Sequence, residues 1–556
     1  MRATADPVTT EVVRNFVLSC AEDMNAALWR SAYSAVIYEG RDSAVALLDS
    51  DGNMLGQSTG VPLFIGAIDA CVHHVRDYYG EDIAPGDIFI MNDSYLQGTH
   101  LHDITAVGPI FYEGELVGFG AARAHWGDIG AIDPGSVMGS TNIYQEGLRL
   151  GPTRIVRAGE PIREWFDHLR LNTRLPEVSI GDLNAQIASI RTGQQRLAQL
   201  LDRIGTEVYR SACQNIFEQA RRLDREAIAE LADGTYYREG FLDDDGVGNG
   251  PIKIALALTI SGEEMLIDLS GTSGPVPGSV NCGAVQTESL LRLAYKTMIN
   301  PDRAITGGSF ETMKVKIPQS CLFNAQEPVA CEWYFTGLGL LADLMISCMS
   351  EAVPDRATAA HYGDSMVSCF FSVDPSRGQW IAIEPTAGGW GARVDGDGES
   401  ALINLVNGSF RNISAEVYET KFPIRVEEFA LRRDSGGAGK WRGGCGVVRR
   451  FKLLESCFGA LWFDRSVTTA WGLAGGGDGA APNNTISFPD GTEEHPLKLR
   501  ARELPSGTVV ETRTGGGGGF GDPLERAREL VMRDVRQGFV SEEAARKEYG
   551  LDDGER

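Results

Sequence analysis

Cysteine pairs and histidine are both scarce in this sequence of 556 residues. The ten cysteines are scattered without a single Cys-x-x-Cys pair, and only eight histidines are present. Paired cysteines with fixed spacing are the usual mark of zinc ribbons, thiol redox sites and disulfide frameworks. The spacing therefore argues against these three classes, and we expect the cysteines to be buried, reduced thiols.

Long apolar runs and basic clusters are also missing. No uninterrupted apolar stretch is long enough to span a membrane, and the N-terminus MRATADPVTTEVVRN lacks the apolar core of a signal peptide. The formal net charge is −25, and no cluster of lysine and arginine offsets it locally. A surface of that charge repels nucleic acid and anionic lipid. We therefore expect a cytoplasmic protein with neither nucleic acid nor membrane as partner.

Glycine, in contrast, is abundant at 67 residues, but no glycine run ends in the Gly-Lys-Ser/Thr of a phosphate-binding loop. The stretch TRTGGGGGFGDP (512–523) lacks a following basic residue, and we predict a conformationally special turn there. DSGGAGKWRGG (434–444) is predicted to be a turn between strands. No Gly-x-Ser-x-Gly elbow stands between a strand and a helix, although a Ser/His/Asp triad does not need residues close in sequence.

The length and the patterning predict several domains, since one core rarely serves so long a chain. An amphipathic helix is predicted at 9–30, and two long helices broken near Gly205 at 181–232. The fold class predicted is mixed α/β (α+β) and multidomain. Its parts are an N-terminal metal-site α/β domain, a helical segment, a central α/β domain, a β-rich glycine-rich domain and a helical tail, at 1–180, 181–235, 236–425, 426–525 and 526–556.

One stretch, NDSYLQGTHLHDITAVGP (92–109), holds two of the eight histidines. DITAVGPIF and ELVGFGAARAHW are both strand-like, and 112–114 lies between them as a turn. Pairing the strands about that turn places Asp103 beside His125. Imidazole and carboxylate together suit zinc, manganese or iron(II). The hairpin thus predicts a metal site of His100, Asp103 and His125, with a satisfied polar loop as the alternative that the residues leave open.

Further polar candidates are weaker. Three of them lie near the hairpin in sequence or across it: Asp42, His102 and Asp128. Three histidines have no evident partner and are predicted to be structural or exposed: His168, His361 and His495. Cys282 in GSVNCGAV is a candidate nucleophile, but a buried thiol is the commoner state of such a residue.

Five stretches, taken in order, carry a resemblance to a known family: NDSYLQGTHLHDIT (92–105), RAHWGDIGAIDPG (123–135), YQEGL (144–148), DSGGAGKWRGG (434–444) and GGGGGFGDP (515–523). They resemble the hydantoinase B family, and the resemblance covers nearly the whole chain. That family includes second subunits of ATP-dependent N-methylhydantoinases and caprolactamase, half of 5-oxoprolinase, and subunits of acetone and acetophenone carboxylases.

The resemblance implies a two-component enzyme. A hydantoinase A-type subunit of the actin-like ATPase class would bind ATP and Mg and phosphorylate the amide or enol oxygen of the substrate. The B-type subunit would complete the reaction at a divalent metal (Zn, Mn or Fe), in a hetero-oligomer such as α2β2. The family's metal motifs match His100, Asp103 and His125 here, and an early RRDxSxA motif matches Asp42 in GRDSAVA.

The function implied is ATP-dependent hydrolysis of a hydantoin, a lactam or a 5-oxoproline-like ring, with Asp128 or His102 as the base. A ketone carboxylase subunit is the alternative, disfavoured because such subunits tend to be longer. A non-catalytic scaffold is a third. The sequence departs from the family's pattern at His102 and Ser94, where proline is usual, and at Trp126, which replaces a histidine. Trp126 is expected either to wall the substrate pocket or to pack in the core.

Overall fold

Four β-sheets and a set of helices organise the chain in the computed structural model, which describes residues 4–376 and 378–551. In chain order the strands β1 to β20 of that part are Ser43–Asp49, Met54–Gln57, Ile88–Met91, Asp103–Tyr112, Glu115–His125, Thr153–Arg157, Glu160–Pro161, Gly234–Leu242, Ile252–Ser261, Glu264–Asp268, Met313–Lys316, Val367–Ser372, Trp380–Pro385, Ile424–Leu431, Val447–Leu453, Cys457–Trp462, Asn483–Ser487, Glu493–Glu494, Lys498–Leu504 and Val509–Arg513. The helices α1 to α13 are Pro7–Ser31, Ala35–Tyr38, Pro62–Ile65, Ile68–Tyr79, Ser94–Gln97, Arg163–Leu171, Pro176–Ile204, Thr206–Ala229, Ala284–Met298, Tyr334–Ala352, Ala415–Lys421, Arg528–Gln537 and Glu542–Tyr549.

The N-terminal sheet has seven antiparallel strands in the order β2-β1-β5-β4-β3-β6-β7. Helix α1 packs against α7 and this sheet. It begins where the Asp6 carboxylate accepts a hydrogen bond from the Thr9 amide at 2.7 Å, an N-cap followed by proline at the first helical position. Four residues of its predicted apolar stripe are fully buried and Phe16 is partly buried, which confirms the predicted amphipathic helix: Val13, Val17, Cys20 and Met24.

The β4–β5 hairpin has the register that the sequence predicts. Asp103 pairs with His125, and Tyr112 pairs with Glu115 at the other end. Glu113 and Gly114 form the turn with φ of 49° and 83°, the left-handed conformation that two-residue hairpin turns require. Both strands are buried along nearly their whole length, so the hairpin lies in the middle of the sheet.

Two long helices follow, and they separate at Gly205 as predicted. Gly205 has φ of 75°, which ends α7 and allows α8 to start in a new direction. Helix α10 is long and apolar enough, by length and composition alone, to cross a membrane. It packs against α9, β8 and β9, and 83% of its 18-residue apolar stretch is buried inside the protein. It therefore serves as a core helix here.

The remaining sheets are smaller. The order is β11-β10-β9-β8 in the second, β13-β12-β16-β19 in the third and β14-β15-β20-β17-β18 in the fourth. Among the described strands only β10 and β11 pair in parallel. The third sheet joins strands from both sides of the domain boundary predicted at 425. The mixed α/β, multidomain fold class is confirmed. All ten cysteines are buried and unpaired, as predicted.

The glycine run 515–519 does not form the predicted turn. It is buried throughout and hydrogen-bonds by its backbone to other glycine-rich segments. The Gly517 amide donates to the Gly444 carbonyl at 3.0 Å, and the Gly519 amide to Gly477 at 2.8 Å. Without Cβ atoms these segments approach backbone to backbone, a second use of glycine besides its freedom at positive φ. For 515–519 the turn prediction is wrong because it considered only positive φ, whereas Gly521, later in the predicted stretch, does have φ of 75°.

We expect Gly517→Ala to destabilise the protein, because the added methyl group would overlap the backbone carbonyl of Trp390. Overpacking of this kind typically lowers the free energy of unfolding by about 1–3 kcal/mol. Chemical denaturation measures it. Gly151→Ala is the matched control, since a Cβ there meets no heavy atom within 4 Å. Equal stability of the two variants would contradict tight backbone packing at 517.

Candidate metal centre

The end of the β4–β5 hairpin meets two other segments of the chain at one point. Helix α5 begins where the Asp93 carboxylate accepts the Tyr95 amide at 2.9 Å, and it ends at Gly98 with φ of 87°. That reversal brings His100 and His102 back over the start of β4. The segment just before α10 approaches the same point and contributes Glu332, which is 232 residues after His100.

Three predicted ligands lie together. His100 Nε2 is 3.1 Å from Asp103 Oδ1 and 3.1 Å from His125 Nδ1. His125 Nδ1 is 3.2 Å from Asp103 Oδ1. All three are buried, with exposures of 5%, 0% and 4%. Ligand atoms that each lie about 2.0–2.2 Å from one ion are separated from each other by distances similar to these three. We call His100, Asp103 and His125 the metal triad.

The second nitrogen of His100 has its own partner. Nδ1 lies 3.1 Å from the backbone carbonyl oxygen of Glu332. A carbonyl only accepts, so this contact assigns the proton to Nδ1 and leaves the Nε2 lone pair facing Asp103 and His125. Metal-ligating histidines commonly donate their other N–H in this way, which fixes the ring orientation.

Glu332 was not foreseen from the sequence. Its Oε1 lies 3.3 Å from His102 Nδ1 and 3.5 Å from His100 Nδ1, so it forms a second His–carboxylate group beside the metal triad. The only local signal was a single carboxylate in the apolar run VACEWYF (329–335), since a buried charge needs a partner. Tyr334, two residues later, donates its hydroxyl to Asp103 Oδ2 at 3.4 Å.

His102 points into this cluster, although it could equally have faced away. Its ring stacks on that of His125, with centroids 5.4 Å apart and an interplanar angle of 17°. Neither nitrogen of His102 nor either carboxylate oxygen of Glu332 makes a hydrogen bond within the described part of the chain. The 3.3 Å approach of the two lacks hydrogen-bond geometry. Buried polar atoms without partners are costly, and a bound cation with its ordered water would supply them. The residues therefore fit a divalent metal ion.

The buried carboxylates of Asp103 and Glu332 both favour the charged form. Burial raises the pKa of Asp103, but the charges and hydrogen bonds of His100 and His125 outweigh burial and lower that pKa. For Glu332, burial likewise raises the pKa, and His102 and His100 lower it to a greater extent. Ionised carboxylates are the form that binds metal.

Glu146, in the YQEGL motif, positions Glu332. Its carboxylate accepts hydrogen bonds from the Cys331 amide at 3.0 Å and the Glu332 amide at 3.1 Å. It also accepts from the Ser140 hydroxyl at 2.6 Å. Burial first, and then the negative charge of Glu332, raise the pKa of Glu146 to about 8. The motif thus anchors the backbone that carries Glu332.

Asp42 lies at the edge of the cluster. Its backbone carbonyl accepts the His125 amide at 3.1 Å, while its side chain belongs to neither His–carboxylate group. Burial raises the pKa of its carboxyl to about 6, against the opposing effect of His125. Its role as a ligand stays a prediction.

Two other predicted residues have different partners. Asp128 forms an ion pair with Arg174 at 2.7 Å and accepts the Thr173 hydroxyl at 3.1 Å, and no contact joins it to the metal triad within the described residues. Its role as base stays a prediction without a supporting contact. Trp126 is buried and donates its indole N–H to Gln186 at 3.1 Å. It belongs to a buried apolar cluster and does not line the cavity beside His100 and His125, so core packing is the correct alternative.

The candidate nucleophile Cys282 is also a core residue. Its Sγ is fully buried and lies 3.5 Å from the Thr287 hydroxyl. Burial raises the pKa of the thiol to about 12. A thiol that holds its proton so firmly is a poor nucleophile, so the buried-thiol alternative is the correct one.

A small cavity of about 50 Å³ opens beside the metal triad, and we call it the first cavity. His100, His125 and Asp42 form its polar end. Among the described residues that line it there is no lysine or arginine. Most of the wall is apolar: Val36, Val61, Leu63, Phe64, Phe335, Val367, Ile383, Pro385, Val406 and Phe410. Ser136, Ser365 and Asn407 add uncharged hydrogen-bonding groups.

Comparison with known proteins confirms the resemblance. The family described as hydantoinase B/oxoprolinase matches residues 6–523. The B component of a putative D-/L-hydantoinase from Pseudomonas sp. (strain NS671) is 30% identical over 98% of this chain and 95% of its own length. The beta chain of caprolactamase from Pseudomonas jessenii is 30% identical over 99% and 96%. The crystal structure of ATP-dependent caprolactamase from that organism superposes with a TM-score of 0.93 at 28% identity, covering 100% of this chain and 98% of its own. The chain belongs to the hydantoinase B/oxoprolinase family.

Proposed function

We propose that this chain is the metal-bearing B-type subunit of an ATP-dependent hydrolase that opens a cyclic amide. The observation that carries the proposal is the convergence of His100, Asp103 and His125 on one buried point at the end of an apolar cavity. It is supported by relatives of matching length that are named as subunits of a hydantoinase and of a caprolactamase.

ATP chemistry is assigned to a partner. The glycines at 516–519 are packed against other backbone segments, so this run has no space for a phosphate. We propose that ATP and Mg are bound by an A-type ATPase subunit, which phosphorylates the amide oxygen, and that the two subunits form a hetero-oligomer such as α2β2. The names of the relatives, which are those of single subunits, support the existence of such a partner.

The roles of the residues follow from their contacts. His100 through Nε2, Asp103 and His125 would hold the ion, with Asp42 at the cavity side. Bound there, zinc, manganese or iron(II) would polarise a carbonyl or lower the pKa of water. His102 would act as the base: its unpartnered Nε2 accepts a proton while Glu332, 3.3 Å from Nδ1, stabilises the imidazolium. The ion pair of Asp128 with Arg174 makes Asp128 the weaker candidate for the base.

The wall of the first cavity favours an uncharged ring, and the cavity, at about 50 Å³, would have to widen to admit one, since ligand sites usually measure about 300–1,000 Å³. A buried carboxylate is stabilised most strongly by a cationic side chain, and this wall offers the uncharged polar groups of Ser136, Ser365 and Asn407 but no lysine or arginine among the described residues. A hydantoin or a lactam suits an apolar wall, whereas 5-oxoproline carries a carboxylate. We therefore propose a neutral cyclic amide as substrate.

We expect the purified chain to retain a divalent ion and to lose it in Asp103→Ala and in His125→Ala, because each substitution removes one ligand. Elemental analysis after dialysis measures the ion. His168→Ala is the matched control, since His168 is exposed on α6 and should leave the metal content unchanged. Stoichiometric metal in both triad variants would refute the site.

We expect His102→Ala to keep its metal and to lower kcat by about 10²-fold or more, the usual contribution of a general base. The assay is ATP turnover by the chain reconstituted with its A-type partner and stimulated by a lactam or hydantoin. Asp128→Asn tests the alternative base, and a larger loss of kcat there in a folded variant would reverse the assignment. Turnover that no cyclic amide stimulates would end the hydrolase proposal, and incorporation of bicarbonate into a ketone would replace it by a carboxylase.

We also expect neutral rings to be better substrates than 5-oxoproline. At equal concentration, kcat/KM for a lactam or hydantoin should exceed that for 5-oxoproline by about tenfold or more, because the carboxylate finds no cationic partner in the first cavity. Val406→Arg would add a cation to the wall and should narrow this ratio. A wild-type preference for 5-oxoproline would contradict the proposed substrate class.

A further inference from the structure

A second cavity of about 430 Å³ lies apart from the metal centre and shares no lining residue with the first cavity. Its wall is built from the end of α9, one side of α10 and the segments 355–361 and 390–405. A volume of this size lies within the range of small-molecule sites. We call it the second cavity.

One histidine on this wall is held in a defined orientation. His361, which the sequence predicts to be structural or exposed, is only 4% exposed, and its Nδ1 is hydrogen-bonded to Asp343 Oδ1. The other oxygen of Asp343 accepts from Arg465 Nη1 at 2.8 Å. Since both carboxylate oxygens are occupied, Asp343 fixes the ring and assigns the proton to Nδ1. The lone pair of His361 then lies on Nε2.

That Nε2 has no partner. It is buried and makes no hydrogen bond within residues 4–376 and 378–551. Buried polar atoms in native proteins are nearly always hydrogen-bonded, so an exception calls for an explanation. Because Nδ1 faces Asp343, Nε2 lies on the opposite edge of a ring that lines the second cavity. It is an acceptor prepared for a donor that enters there.

The groups around His361 indicate what kind of hydrogen-bond donor the second cavity would accept. The Trp390 ring lies with its centroid 5.4 Å from that of His361, and its N–H is already used by the Ile403 carbonyl at 2.8 Å, so the ring offers its π face. At the rim Arg393 pairs with Asp395 at 3.1 Å. Asp355 and Glu399 line the cavity without forming an ion pair in the described structure. Arg356 on the same wall donates to the Met298 carbonyl and has no carboxylate partner among the described residues, so the two carboxylates leave the rim with a net charge of −1.

We propose that the second cavity binds a small organic ammonium compound. Its N–H donates to His361 Nε2, its positive charge lies near the Trp390 face and the carboxylates of Asp355 and Glu399, and its apolar part packs on Met298, Ile346 and Leu405. Ammonium groups are attracted both to indole faces and to carboxylates, which accounts for an acceptor, an aromatic ring and an acidic rim in one cavity. This site does not depend on the function proposed for the metal triad.

Two other uses of His361 are less well supported. A His–Asp pair also serves as the base of a nucleophile, but both hydroxyls on this wall already donate to backbone carbonyls. Thr297 donates to Ala294 at 2.7 Å, and Thr358 to Ala359 and Ala392 at 3.3 and 3.4 Å. A metal site needs further ligands, and His361 belongs to neither of the metal-ligand groups found among the described residues. A binding role is what the contacts favour.

The test is calorimetric titration of the full chain, metal retained, with benzylammonium and butylammonium chloride, and with benzyl alcohol and butanol as neutral isosteres. The proposal expects the ammonium compounds to bind and the alcohols to bind at least about tenfold more weakly. His361→Phe should weaken ammonium binding by about tenfold or more, and Glu399→Gln by a few-fold that fades at high salt. His168→Phe should leave it unchanged.

No ammonium binding to the wild-type chain, equal binding of the alcohols, or unchanged binding in His361→Phe would each overturn the proposal. Thermal unfolding and metal content establish that each variant is folded. If His361→Phe does not fold, the double variant Asp355→Asn with Glu399→Gln, which changes exposed residues, takes its place. We expect it to weaken ammonium binding and to leave alcohol binding unchanged. Any other result for this double variant overturns the proposal.

Discussion

The site depends first on the register of one antiparallel pair, in which Asp103 lies opposite His125. A slip of one residue would turn His125 to the other face of the sheet and separate it from Asp103. The left-handed turn at 113–114 and the burial of both strands prevent that slip. The convergence of the metal triad and the polar end of the first cavity are consequences of this register.

Residues that are distant in sequence from the β4–β5 hairpin hold the metal triad in place. Glu332 contributes its carbonyl to His100 and its carboxylate to His102, and Glu146 holds the Glu332 backbone in place. So many ionisable groups in a buried region would be unfavourable if they were isolated. Imidazoles and carboxylates alternate, so opposite charges lie side by side, and a bound cation would supply the partners that His102 and the Glu332 carboxylate lack among the described residues.

Local patterns predicted the parts of the fold that local chemistry determines. The hairpin, the amphipathic helix α1 and the break at Gly205 each depend on residues close in sequence, and all three are confirmed. Glu332 and the His361–Asp343 pair could not be found in this way, because contacts between distant segments leave no periodic signal. The glycine run was assigned to a turn because the sequence does not distinguish glycine's two uses, positive φ and close approach.

The packing of the glycine segments limits which amino-acid substitutions this part of the protein can accept. Where backbone meets backbone, as at Gly437, Gly444 and Gly517, the spacing between segments is set by peptide dimensions and not by side chains. Every substitution there adds atoms, so the region cannot be adjusted gradually, as an ordinary core can be with valine, leucine or methionine. It acts as a spacer of fixed width among the third and fourth sheets and the wall of the second cavity, so a change in what the protein binds has to arise in the side chains around it.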